Sequence, residues 1–163
     1  MSFAAVQTLK KMDLAASEVP QIAEARSAGL SDDDCIALVR LLHGQHEKFD
    51  IGNTVAQLLR AGMPGSAVME LAHLGQIKSW GVEAVAMHLA GLSDEIILQD
   101  ARRRAAGLPV LSGASLANLK NTGMREYTLL QLVRRGVPDS QASTILALRR
   151  RNWSDAQILR RYR

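Results

Sequence analysis

Cysteine occurs once in the 163 residues, at Cys35, so the chain has no intramolecular disulfide and no clustered-thiol zinc site; a reducing compartment is expected. Aromatic residues make up only 4% of the chain; Trp153 and Tyr162 could stack on bases, with a place in the core as the alternative. No apolar run approaches the roughly 18 residues of a membrane span, and residues 1–10 lack the basic start and apolar block of a secretory signal. A soluble, cytoplasmic chain that does not enter a membrane is therefore expected. No β-hairpin signature and no alternating strand stands out. There is also no glycine-rich phosphate loop and no Ser, His, Asp constellation, so the expectation is a non-enzymatic protein without a cofactor. Lysine is scarce late in the chain: after residue 100 there is one, against twelve arginines.

That last scarcity goes with a strong asymmetry of charge. Residues 1–100 carry seven Lys and Arg against thirteen Asp and Glu, a net of −6, whereas residues 101–163 carry thirteen against three, a net of +10. Charge separated in this way points to a polyanion partner for the basic part. The bias to arginine suits bidentate pairing with phosphate or carboxylate. The plainer alternative is that arginine is favoured at helix C-termini and keeps the surface solvated.

One short pattern punctuates the whole chain. It reads Gly29-Leu30-Ser31-Asp32, Gly62-Met63-Pro64-Gly65, Gly91-Leu92-Ser93-Asp94, Gly123-Met124-Arg125-Glu126, Gly136-Val137-Pro138-Asp139 and Asn152-Trp153-Ser154-Asp155. Helices commonly end on a left-handed Gly or Asn followed by an apolar residue that packs back on the last turn. Four residues before each mark stand Ala25, Leu58, Met87, Leu119, Leu132 and Leu148, which supply the other half of that contact. Ser31, Ser93, Ser154 and Asp139 are the expected N-caps of the helices that follow, with acids in their first turns. The expected fold is all-α: a bundle or short array of tightly turned helical hairpins, one domain over residues 1–163.

The apolar spacing agrees. Phe3, Val6, Leu9 and Met12 recur every three residues, Val19 and Ile22 face inward from a short polar helix, and Cys35 is a small core residue. Looser links are expected at 43–52, 75–81 and 105–113. The marks at 29, 62, 91 and 123 stand at two-helix intervals, after which the spacing shortens to 13 and 16. The last third then reads as three helices, at about 125–135, 139–151 and 154–162.

Residues 127–146 in this part, and 54–68 earlier, resemble a helix-turn-helix in outline: an apolar helix, a Gly followed by an apolar residue, and a second helix opening on polar residues. The same order resembles ubiquitin-associated three-helix domains and the helical-hairpin repeats of bacterial proteins. The helix-turn-helix resemblance implies nucleic-acid binding, with Ser140, Gln141, Ser143 and Thr144 near the start of a recognition helix. Phosphate contacts would come from Arg134, Arg135, Arg149, Arg150, Arg151, Arg160, Arg161 and Arg163. Arg149–Arg151 fall at the C-terminal end of the second helix, which favours backbone contact over base reading. Arg102–Arg104 lie outside the three-helix cluster and are expected to matter less.

The partner is thus a DNA or RNA backbone, or else an acidic protein surface, the latter making the chain an interaction module or a structural subunit of a larger bacterial assembly. The opposed charges also allow homo-oligomers. Glu70 with His73 has the spacing of a carboxylate di-iron site but lacks the second copy and further glutamates, and His43, His46, Glu47 and Asp50 could form a metal cluster in a link but read as well as solvated polar residues, so no metal is expected.

Overall fold

The structure is a computed structural model and describes residues 1–44 and 52–163. Among these residues the chain forms eleven α-helices and no strand. They are α1 (Phe3–Lys10), α2 (Glu18–Ser27), α3 (Asp32–Gly44), α4 (Gly52–Ala61), α5 (Gly65–His73), α6 (Gln76–Leu89), α7 (Asp94–Ala105), α8 (Gly113–Asn121), α9 (Glu126–Arg134), α10 (Ala142–Arg150) and α11 (Asp155–Arg161), with one 3-10 turn at Asp139–Gln141 before α10.

All six marks have left-handed backbone, from φ +61° at Asn152 to +119° at Gly29. In five of them the N–H of the following apolar residue donates to the carbonyl four residues before the mark: Leu30 to Ala25, Met63 to Leu58, Leu92 to Met87, Val137 to Leu132 and Trp153 to Leu148. This closes orphan carbonyls at each helix end. At Gly123 the Leu119 carbonyl is taken instead by the N–H and hydroxyl of Thr122. Ala25, Leu58, Met87, Leu119, Leu132 and Leu148 are all buried, as are Leu30, Met63, Leu92, Met124 and Val137 above them.

Two of the expected links are more regular than the sequence suggested. Residues 76–81 are the first turns of α6, not a loop, and Gly75 (φ +67°) is a further helix-ending turn. Gly81 lies inside that helix because a Cβ there would stand 2.5 Å from Cγ2 of Thr54. The link at 105–113 opens on another left-handed turn at Gly107, where the Leu108 N–H donates to the Arg103 carbonyl. With these two included, Gly75, Gly91, Gly107 and Gly123 stand sixteen residues apart, and the expected break in spacing disappears. Most of the link at 43–52 lies outside the described residues.

The chain divides into two compact units, residues 1–85 and 86–163, with the division inside α6. Each is built the same way: a helix packs on the helix two places further along. In the first unit α1 packs on α3, α3 on α5 and α2 on α4; in the second α7 packs on α9, α9 on α11 and α8 on α10. A recurring polar contact fixes this register. An acid in the first turn of one helix accepts the backbone N–H of the N-cap residue two helices earlier: Asp32 from Ser2, Glu126 from Ser93, Asp139 from Ser112 and Asp155 from Arg125. Asp139 is therefore not an N-cap; its carboxylate serves the neighbouring helix. Ser93 likewise makes no side-chain cap, whereas Ser154 forms a full capping box with Gln157 and Ser31 accepts the Asp34 N–H.

A second contact spans the marks themselves. An arginine three residues before pairs with the acid three residues after in Arg26–Asp32 and Arg149–Asp155, and at the equivalent place His88 Nδ1 stands 3.1 Å from the Asp94 carboxylate. The Ser2 N–H and the Arg26 guanidinium hold the Asp32 carboxyl down at about 2. Cys35 is buried, and its burial pushes the thiol up to about 11. On the N-terminal helices Leu9 and Ile22 are buried, but Phe3 is 80% and Val19 55% exposed, contrary to the inward positions expected of them.

Candidate nucleic-acid interface

The second unit holds thirteen Lys and Arg against six Asp and Glu. Helix direction decides where those charges go. Hydrogen bonds join the N-terminal ends of α7 and α9 (Ser93 with Glu126) and also their C-terminal ends, where Arg103 Nη1 donates to the Arg134 carbonyl. They join α9 and α11 in the same sense: the Arg125 N–H and Thr128 hydroxyl donate to Asp155 at one end, and Arg135 donates to the Leu159 and Tyr162 carbonyls at the other. So α7, α9 and α11 run parallel as one layer. Their C-terminal arginines, at 102–104, 134–135 and 160–163, share one end of the unit.

Arg149–Arg151 are at the opposite end. They close α10, which returns antiparallel to α9, and α11 then carries the chain back over its seven residues, about 10 Å at 1.5 Å per residue. The sequence-derived grouping is corrected in two ways. Arg102–Arg104, set aside as remote, belong with Arg134, Arg135, Arg160, Arg161 and Arg163. Arg149–Arg151, placed with them, do not. The physical reason is helix direction: α8 returns between α7 and α9, and α10 between α9 and α11, so every second helix end falls on the same side.

The arginines differ further in what holds them. Arg104 pairs with buried Asp100 at 2.6 Å and Arg134 pairs with Glu95, so both charges are compensated. Arg149 is a structural clasp, only 17% exposed, donating to Asp155 and to the Trp153 and Thr122 carbonyls. Arg103 and Arg135 are oriented by neutral carbonyls instead, those of Pro109 and Arg134 for the first and of Leu159 and Tyr162 for the second. A carbonyl fixes a guanidinium without cancelling its charge. Arg160, Arg161 and Arg163 beside them are exposed, and their side chains make no hydrogen bond or ion pair with the described residues. The only first-turn acid facing this end from the α8–α10 layer is Asp139; bonds from Ser115 and Ser112 hold its carboxyl below the usual range.

The residues assigned to base reading fare differently. Ser140 is exposed, whereas Gln141 accepts the Tyr162 hydroxyl at 3.3 Å and helps tie α11 to α10. Both sit on the 3-10 turn, not on the helix proper. Ser143 is exposed and Thr144 half-buried. Arg150 and Arg151 are exposed, at the opposite end from these. Arg103 was missed because it carries no signal beyond its place in an arginine run; only the fold shows that its guanidinium lies against the Gly136 turn, within 2.1 Å of where a Cβ would stand.

Among the described residues no group of three or more His, Cys, Asp or Glu side chains gathers as a metal site, and no helix is long and apolar enough to cross a membrane. His43 faces Glu18 at 3.0 Å; His46, Glu47 and Asp50, of the same candidate cluster, lie outside the described residues. His73 is engaged with the Met69 carbonyl. No family model, curated protein or solved structure matches the chain.

Proposed function

We propose that the protein is a non-enzymatic, cytoplasmic nucleic-acid-binding protein that grips the phosphate backbone with the end of its second unit where α7, α9 and α11 terminate. The observation that carries this reading is the pair Arg103 and Arg135, held in place by carbonyls with their charge intact, beside exposed Arg160, Arg161 and Arg163. Preorganised guanidiniums lose less freedom on meeting a phosphate than free side chains do. Arg134, Arg149, Arg150 and Arg151 leave the proposed contact set: the first is neutralised, the second is a clasp and the others lie at the far end. Sequence preference is slight, because phosphate contacts position a protein without reading bases. The recurring acid-to-N-cap contact also supports a helical-hairpin repeat as the underlying plan.

The test is the salt dependence of binding to duplex DNA, single-stranded DNA and RNA. Changing Arg160, Arg161 and Arg163 together to Gln frees up to three phosphates, so the slope of log affinity against log salt should flatten by about 0.7–0.9 for each phosphate that is no longer neutralised. Changing Arg150 and Arg151 to Gln should leave the slope as it is. If the parent binds none of the three polymers at low salt, the basic end belongs to an acidic protein surface instead.

A further inference from the structure

The two carbonyl-held arginines at the basic end are not equivalent, and the difference lies in which nitrogens are spent. A guanidinium meets two oxygens of one anion side-on through the edge formed by Nε and Nη2, and that edge faces directly away from Nη1. Arg103 has lost this edge. Its Nε donates to the Pro109 carbonyl, and its Nη2 lies against the backbone of Gly136, 2.1 Å from where a Cβ would stand. Nη1 donates to the Arg134 carbonyl, so all three nitrogens are engaged within the unit. The residues that Arg103 grips, Arg134 and Gly136, are the two chain neighbours of Arg135.

Arg135 spends only Nη1. Helix α11 ends on Tyr162 at φ −108°, without the left-handed turn that closes the helices at the six marks, so its last carbonyls need donors from elsewhere. Nη1 of Arg135 supplies them, to Leu159 and Tyr162. Those bonds pin the plane of the guanidinium and leave its whole Nε–Nη2 edge without a partner among the described residues, on an exposed side chain. Arg160, Arg161 and Arg163 keep the same edge, but nothing orients them. We propose, resting on the phosphate reading above, that Arg135 takes both non-bridging oxygens of one phosphodiester through this edge. Arg103 is then a positioning residue: it holds the backbone on either side of Arg135 and adds charge without a fork of its own.

The arginine Nε–H signals in nitrogen–proton correlation spectra of the full chain test this, at mildly acidic pH and low salt. The chain is titrated in turn with a short DNA duplex, a DNA strand and an RNA strand. Loss of a signal in Arg135→Lys and in Arg103→Lys identifies the two. On binding, the Arg135 signal should move downfield as its N–H meets a phosphate oxygen, whereas the Arg103 signal, already bonded to Pro109, should stay in place. Affinity gives a second readout. Arg135→Lys keeps the charge and loses the fork, so affinity at fixed salt should fall by about tenfold while the salt slope is unchanged. Arg161→Lys, which replaces an unoriented side chain, should stay within about twofold of the parent. If Arg135 merely tied down α11, the variant could bind less tightly, but its signal in the parent would not shift on binding. An Arg135 signal that stays put at saturation, an Arg103 signal that moves as far, or an Arg135→Lys variant that binds as tightly as the parent overturns the assignment and leaves the phosphate reading standing. A parent that binds none of the three polymers overturns both.

Discussion

Replacing Gly136 by Ala tests the turn and the basic end together. The backbone there is left-handed, at φ +70°, which costs a residue with a Cβ about 1–2 kcal/mol. The added Cβ would also lie 2.1 Å from Nη2 and 2.9 Å from Cζ of Arg103, so the guanidinium has to leave. It then gives up its bonds to the Pro109 and Arg134 carbonyls. Those bonds are exposed, and losing both costs about 1 kcal/mol. The expected destabilisation is about 2–3 kcal/mol. Gly123→Ala calibrates the first part: φ is +79°, but the nearest atom to a Cβ there is 3.9 Å away, so about 1–2 kcal/mol is expected. Urea denaturation of both variants and of Arg103→Ala, alone and combined with Gly136→Ala, completes a cycle. Once Arg103 is gone, the penalty at position 136 should fall to that at position 123. Gly136→Ala should also weaken polyanion binding while Gly123→Ala does not. Equal penalties at the two glycines, with no coupling to Arg103, would refute the placement of this arginine.

Two further outcomes follow from the polar contacts between helices. The Asp32 carboxyl is held at about 2 against an ordinary 3.8, so the stability it contributes is fully present above about pH 4 and is lost as the pH falls toward 2. Asp32→Asn should therefore be less stable than the parent at pH 6 and equal to it near pH 2, as read from urea midpoints; a gap that does not change with pH would contradict this. Arg149→Gln removes the clasp on Asp155 and should destabilise by about 2–3 kcal/mol, whereas Arg150→Gln, at an exposed neighbour, should stay within about 0.5 kcal/mol in the same assay.

The helix-ending turns were legible because their signal is local: a Gly or Asn, an apolar residue after it and another four before, all within six residues. Gly75 and Gly107 escaped for the same reason. Gly75 is followed by polar Gln76, and the residue four before Gly107 is Arg103, so neither shows the apolar pair. Helices in such an array alternate in direction, so Arg102–Arg104 share an end with Arg134 and Arg135 although they precede the three helices that the shortened spacing marks off. The contacts that fix the register, Asp155 with Arg125 or Asp139 with Ser112, join residues about thirty apart and have no local signature. The fates of individual arginines were illegible for the same reason. Arg134, Arg135, Arg149 and Arg150 read alike in the sequence, yet one meets a carboxylate, one meets carbonyls, one is a clasp and one meets solvent.

Arginine at a helix C-terminus is favoured by the helix dipole alone, so the basic end needs a reason beyond helix stability. Both ends of the second unit receive such arginines, since α10 contributes Arg149–Arg151 to the other side. What separates the two ends is the supply of acids. The parallel layer opens on Asp94 and Glu95 in α7, Glu126 in α9 and Asp155 in α11, all at the Arg149 end. The antiparallel layer opens with no acid in α8 and none in α10, leaving Asp139 of the 3-10 turn to face five uncompensated arginines. Ala114, exposed in the first turn of α8, is where an acid would ordinarily be welcome. Ala114→Glu should stabilise the protein by about 0.3–1 kcal/mol through the dipole of α8. If the C-terminal ends of α7, α9 and α11 bind phosphate, the same change should weaken binding and flatten its salt dependence, so stability and affinity move in opposite directions. An affinity that stays constant while stability rises would mean that the missing acid has nothing to do with a polyanion, and that the arginines at this end serve their helices alone.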